Sequence, residues 1–162
     1  MALSEILLLG DSRLTETCAP VEKEELNELL PVIQKLGELV LEFRSTYGAG
    51  RAIAAPQIGV MKRLIVMNID RPIAIINPVL SDYSKEMFEM WDDCMSFPNL
   101  MVKVNRHQSC IMKFKNLDWQ EEEWKLKGDL SELMQHEYDH LNGILATMRA
   151  IDDQAFKWRV SD

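Results

Sequence analysis

Within the run His136-Glu137-Tyr138-Asp139-His140, two imidazoles stand four residues apart with a carboxylate beside the first. On an α-helix, positions i and i+4 lie one above the other on one face, so both rings can reach a single metal ion. Glu137 can then face an open coordination position, where a carboxylate acts as general base on water. These are two of only three histidines in the chain, and Leu133, Met134 and Leu141 flank them as a buried helix requires. Chance spacing on a surface helix is the competing explanation, and the apolar flanks count against it. A catalytic site needs a third protein ligand. The candidates upstream are carboxylates, His107 and the cysteines. Cys94 stands out, because it sits in the polar segment Asp92-Asp93-Cys94-Met95-Ser96. Cys18 and Cys110 have apolar or neutral surroundings and read as buried, inert thiols.

Those residues need elements to hold them. Apolar residues at Leu26, Leu29, Leu30, Ile33, Leu36, Leu39, Val40 and Phe43 predict a helix from Glu22 to Thr46 with one buried face. Pro31 marks a first turn or a break, and Gly48-Ala49-Gly50 stops the helix near Tyr47. Leu64 to Met67 and Ile73 to Ile76 predict two strands around an Asp70-Arg71-Pro72 turn. Val102, Val104, Ile111, Lys113 and Phe114 predict further extended chain. Asn116-Leu117-Asp118 predicts a hairpin turn before Glu121 to Leu126. A second helix is expected from about Asp129, as N-cap, to Leu141, with Asn142-Gly143 ending it. The order predicts an α+β fold, and the absence of repeats or linkers predicts one domain over residues 1–162.

Composition narrows the field. Hydrophobic residues make up 47% of the 162, charged residues 27%, and the formal net charge is −8. No basic stripe offsets the acids, which argues against direct nucleic-acid binding. No apolar stretch reaches the roughly 20 residues needed to span a bilayer, so no membrane partner is expected. Met1-Ala2-Leu3-Ser4-Glu5 lacks a basic n-region, so a signal peptide is not expected. Three widely spaced cysteines do not form a disulfide framework, and the expectation is a cytoplasmic location. For the C-terminal Phe156-Lys157-Trp158-Arg159-Val160, a short helix on the core and a contact surface both remain open.

The chain resembles the peptide deformylase family over nearly its whole length. The segment ILLLGDSRLTETCAPV (6–21) is similar to that family's opening, and GRAIAAPQ (50–57) to its glycine-and-glutamine motif. DDCMS (92–96) is similar to its cysteine motif, usually EGCLS, and QHEYDHLNGIL (135–145) matches its helix motif almost letter for letter. The resemblance implies small mixed or antiparallel sheets around a central helix bearing HExxH. It implies one divalent metal on Cys94, His136 and His140, Fe²⁺ by expectation, with Zn²⁺, Ni²⁺ or Co²⁺ able to replace it. Glu137 would move the proton, and the Gln57 amide with the Met95 N–H would donate to the tetrahedral oxyanion.

The implied reaction hydrolyses an N-formyl group from the N-terminal methionine of a peptide and releases formate. The peptide would lie as an added strand along the glycine and cysteine loops, and ribosome association is a further partnership the resemblance allows. Asp92 would pair with Arg106, which reads as a structural ion pair. Two alternatives share this chemistry in part: a hydrolase of another small N-acyl amine, and a homologue that binds metal without catalysis. A generic HExxH peptidase is weaker, since Cys94 and Gln57 do not belong to that pattern.

Departures from the family pattern cluster at the site. Ala52 replaces a glycine, which is costly if that backbone needs φ > 0. Asp93 replaces another glycine, and its charge opposes thiolate formation at Cys94. The substrate-binding positions are Gly50, Arg51, Ala52, Asp93, Asp129, Glu132 and Leu133, with Met95 beside them. Arg51, Asp129 and Glu132 place charge where the family lines its first side-chain pocket with apolar groups. The bland explanation makes Asp129 an N-cap, Glu132 solvent-exposed and Arg51 a residue lying over them. The sharper one makes formyl-methionyl peptides poor substrates and a polar or charged side chain a better fit.

Overall fold

The computed structural model describes residues 2–159. Met1, Val160 and the last two residues lie outside the described residues. Helix α1 (Leu26–Tyr47) follows a 3₁₀ turn at Lys23–Glu25 and ends on Gly48 in the left-handed conformation at φ 71°, where glycine has no Cβ to strain. Pro31 lies inside α1 rather than at its first turn or at a break. The hydrogen bond it removes would have used the carbonyl of Asn27, and both residues are exposed, so water satisfies that group.

Five antiparallel strands form the main sheet in the order β1-β2-β3-β6-β7: β1 (Ala52–Ala54), β2 (Leu64–Asn68), β3 (Pro72–Ser81), β6 (Ser109–Lys115) and β7 (Glu121–Lys127). Three more form a second sheet in the order β4-β5-β8: β4 (Met87–Asp92), β5 (Leu100–His107) and β8 (Phe156–Trp158). The Phe156–Trp158 segment is therefore an edge strand on β5 and not a short helix on the core. Its three side chains are exposed, and three residues are too short a run for the Phe-Lys-Trp alternation to signal a strand.

Helix α2 (Gly128–Leu141) crosses the face of the main sheet opposite α1. Leu64, Val66, Ala74 and Ile76 pack with Leu36, Leu39, Val40 and Phe43 of α1. Their neighbours Ile65, Met67 and Ile75 pack instead with Leu133, Met134 and Leu141 of α2. Alternate residues of β2 thus serve two cores, which is why that strand is apolar without a polar period. Asn77 at φ 51° breaks the β3–β6 register between Ile76 and Val79, and its amide exchanges two hydrogen bonds with the Val21 backbone. The α+β expectation holds.

Helix α2 starts one residue before Asp129, and its N-cap is Lys127, which makes no side-chain cap. Gly128 at φ 53° turns the chain directly from β7 into the helix, so Asp129 falls in the first turn rather than at the cap. At the other end Asn142-Gly143 stops the helix as its sequence implies. Gly143 at φ 72° packs so closely on Thr15 that an added Cβ would lie 2.6 Å from its backbone.

Candidate metal centre and active site

Three segments converge. Cys94 follows the end of β4, Gln57 closes a 3₁₀ turn at Ala55–Ile58 after β1, and His136, Glu137 and His140 project from α2. The chain before residue 12 ties two of these together: Leu7 N–H donates to the Gln57 carbonyl at 2.7 Å and Leu9 N–H to the Ser96 carbonyl at 2.9 Å. The buried helix face and the burial of Cys94 leave these groups screened from bulk water.

The ligand atoms of Cys94, His136 and His140 all lie within 4.8 Å of one another. Cys94 Sγ is 3.3 Å from His140 Nε2. His136 Nδ1 bonds Asp92 Oδ2 at 2.9 Å, so its Nε2 remains for a metal. One thiol and two imidazoles, three protein donors with room for a fourth group, suit a single divalent transition-metal ion. A buried Glu137 Oε1 that has no partner among the described residues stands beside this set, as a proton carrier for an incoming molecule would. His107 is not part of the cluster; its ring bonds the Ser84 carbonyl.

Behind the cluster runs a chain of ion pairs. Arg106 donates to Asp92 at 2.9 Å and to Asp139 at 3.0 Å, and Arg149 holds Asp139 from the other side at 2.5 Å and 3.0 Å. The Asp92–Arg106 pair expected from sequence is present, but Asp92 also orients His136, so it positions a metal ligand as well as stabilising the fold. Asp139 and Arg149 have the same indirect role and were not singled out from sequence. Burial opposes ionisation of Asp92, yet His136 and Arg106 outweigh it and hold its carboxyl well below the usual range. Burial likewise would lower the His136 pKa, but Asp92 raises it well above the ordinary value in the metal-free protein. For His140, burial and the neighbouring His136 both act downward. Burial pushes the Glu137 carboxyl up to about 7, which suits a group that must both take and give a proton.

The Gln57 amide is fixed at both ends. Its Oε1 accepts from Ala54 N–H at 3.0 Å, so its Nε2 points to Ser96 Oγ at 3.1 Å and Cys94 Sγ at 3.5 Å. Ser96 is thus the orienting partner that sequence reasoning passed over within the cysteine motif.

The departures resolve in particular ways. Ala52 lies in extended β1 rather than at positive φ, so alanine is not strained there. Asp93 pairs with Arg159, whose Nε also donates to the Pro98 carbonyl at 3.1 Å, so its charge beside Cys94 is compensated from the C-terminal segment. Arg51 lies over the mouth as expected, donating to Glu132 Oε1 at 2.5 Å and towards the Asp129 carbonyl at 3.4 Å. Glu132 is only 3% exposed, which corrects the expectation that it faces solvent. Its spacing explains this: Glu132, His136 and His140 share one helical face. A cavity lined by Gly50, Arg51, Met95, Glu132, Leu133 and Glu137 opens beside Cys94.

A buried thiol–imidazole set with an unpartnered buried carboxyl beside it, held by a helix between sheets, defines a mononuclear metallohydrolase. The comparisons give the family. The model for polypeptide deformylase matches residues 3–156. A peptide deformylase of Thermotoga maritima is 33% identical over 141 residues, covering 86% of this chain and 82% of the relative. One of Dictyoglomus thermophilum is 33% identical over 154 residues, covering 93% and 95%. The crystal structure of the Thermotoga maritima peptide deformylase superposes with a TM-score of 0.83 at 31% identity, covering 91% of this chain and 97% of that one. The chain belongs to the polypeptide deformylase family. No helix among the described residues is long and apolar enough to cross a membrane.

Proposed function

We propose that this protein hydrolyses the N-formyl group from the N-terminus of peptides, releasing formate and a free α-amine. The observation that carries the reading is the Cys94/His136/His140 donor set with the orphaned Glu137 Oε1 beside it. A bound divalent ion, ferrous by family expectation, would polarise the formyl carbonyl and lower the pKa of water. Glu137 takes a proton from the attacking water at Oε1 and delivers it to the departing amine nitrogen. Gln57 Nε2 and the Met95 N–H donate to the oxygen that gains charge, and the Gln57 amide is already oriented by Ala54 N–H and Ser96 before substrate arrives.

The peptide binds along β1, an edge strand that among the described residues pairs only with β2, by adding its own backbone to that edge. A compact formyl group suits the small cavity that Gln57 and Cys94 line. The test is formate release from a panel of N-formyl tripeptides by protein loaded with Fe²⁺ under anaerobic conditions, with Glu137→Ala as blank. Release that depends on Glu137 is expected. A metal-loaded protein that releases no formate from any member refutes the reading.

A further inference from the structure

Beside Glu137 the cavity is lined by the apolar side chains of Phe43, Met95 and Leu133, and the charged Glu132 lines it with them. Glu132 Oε1 is occupied by the Arg51 guanidinium. Glu132 Oε2 is buried and has no hydrogen-bond partner among the described residues. An ionised carboxylate only accepts hydrogen bonds, so this atom calls for a donor. A thioether or an alkyl chain in the cavity supplies none and leaves the acceptor desolvated and unpaired.

Arg51 itself does not fill the requirement. It lies across the mouth, with more than a third of its side chain exposed, and its remaining contact runs to the Asp129 carbonyl. The Arg51–Glu132 pair balances charge at the mouth, while the nearby Asp93 is balanced by Arg159. What remains unmet is a hydrogen bond, and not a net charge.

We infer that Glu132, held by Arg51, selects N-formyl peptides whose first side chain ends in an N–H donor, and selects against methionine. This rests on the deformylase reading above and names the substrate class for it. A glutamine side chain is the closest match, since it has nearly the length and volume of methionine and differs by its terminal amide. A carboxylate at the same point repels Glu132 and is excluded. A site that must hydrogen-bond its substrate discriminates strongly against an analogue lacking the donor, because its own polar group is then left unpaired.

The experiment compares kcat/KM for formyl-Gln-Ala-Ser, formyl-Lys-Ala-Ser, formyl-Met-Ala-Ser and formyl-Glu-Ala-Ser on the wild-type, iron-loaded enzyme. It also measures binding of the unformylated Gln-Ala-Ser and Met-Ala-Ser by calorimetry. The expected result is a preference for glutamine over methionine of at least about tenfold in kcat/KM, tighter binding of Gln-Ala-Ser, and no turnover of the glutamate peptide. Arg51→Leu/Glu132→Leu reverses the preference, and Glu132→Gln, which keeps an acceptor, retains part of it. Methionine equal to or better than glutamine in the wild type overturns the inference. So does a ratio that the double substitution leaves unchanged. If no peptide releases formate, the deformylase reading fails, and calorimetry still decides the pocket: a glutamine preference upholds its selectivity and equal binding overturns it.

Discussion

The two faces of the metal cluster are built on opposite principles. Behind it, Arg149, Asp139, Arg106 and Asp92 alternate in sign and end on His136, so that each buried carboxylate is matched by a cation. In front, at the mouth, Glu132 keeps one oxygen unpaired and just over a third of the Arg51 side chain is exposed. The rear carboxylates are paired because their task is to hold a ring nitrogen still, and the atom left without a partner there among the described residues is a donor, Arg106 Nε. The front is unsatisfied because its partner arrives with the substrate. A buried pair broken on one side costs about 3–5 kcal/mol, so the rear face tolerates little change, and at the mouth Arg51 and Glu132 must change together.

The largest expected effects sharpen the rear half of this contrast. Cys94→Ala removes one of three donors, and the protein is expected to lose stoichiometric metal on gel filtration, with formate release falling to background. Metal analysis of the eluted peak checks this. Asp92→Ala leaves His136 unoriented and Arg106 buried without its partner. Loss of such an orienting group weakens metal binding by about 10–100-fold, measured by chelator competition, and the stability loss should approach the 3–5 kcal/mol given above, measured by urea unfolding. An Asp92→Ala protein with unchanged metal affinity would mean that the relay serves folding alone.

A smaller effect tests whether the C-terminal edge belongs to the rear or the front. Arg159 pairs with Asp93 and holds the Pro98 carbonyl, so it clamps the loop that carries Cys94. Arg159→Ala is expected to cost about 1 kcal/mol or less, since the pair is partly exposed. It should also weaken metal binding several-fold, because the loop that carries Cys94 is then unclamped. Asp93→Gly in the same background should not restore the affinity, since a carboxylate near a divalent cation attracts it. Chelator competition on the two proteins separates a charge effect from loosening of the loop.

The rear was more legible in sequence than the front, and the reason is physical. The i, i+4 histidines, the apolar period of α1 and the Gly48 and Gly143 stops are local signals, and the structure places them as expected. The motif resemblance supplied Cys94, Gln57 and the Asp92–Arg106 pair. Asp139 looked like a spacer inside the helix motif because its partner Arg106 is 33 residues away in the chain. Short β1 and β8 carry too few alternating residues to announce themselves, β8 exposes all three of its side chains, and β4 is only partly buried. The solvent-exposed alternative for Glu132 rested on the rule that a charged residue on a helix is usually solvated, and its burial removes that alternative. Its four-residue spacing to His136 was the available signal that it shares the buried face.

The subtlest prediction concerns the cost of leaving the mouth unsatisfied. Burial raises the Glu132 carboxyl above its ordinary value, and the Arg51 pair only partly offsets this. An acid whose folded pKa is raised binds its proton more tightly folded than unfolded. Its ionisation therefore costs stability as pH rises from the unfolded value through the folded one, and that cost is absent in acid. Glu132→Gln removes the ionisation but keeps the shape. Relative to wild type, the variant should gain stability between about pH 4 and neutrality, where an unperturbed glutamate would give no such trend. Urea unfolding of both proteins at the two pH values measures the difference. A flat difference would mean that Arg51 satisfies Glu132 completely, and the contrast between a matched rear and an unmatched mouth would then disappear. A gain paired with lost discrimination between glutamine and methionine peptides would show stability being given up at the mouth for selectivity.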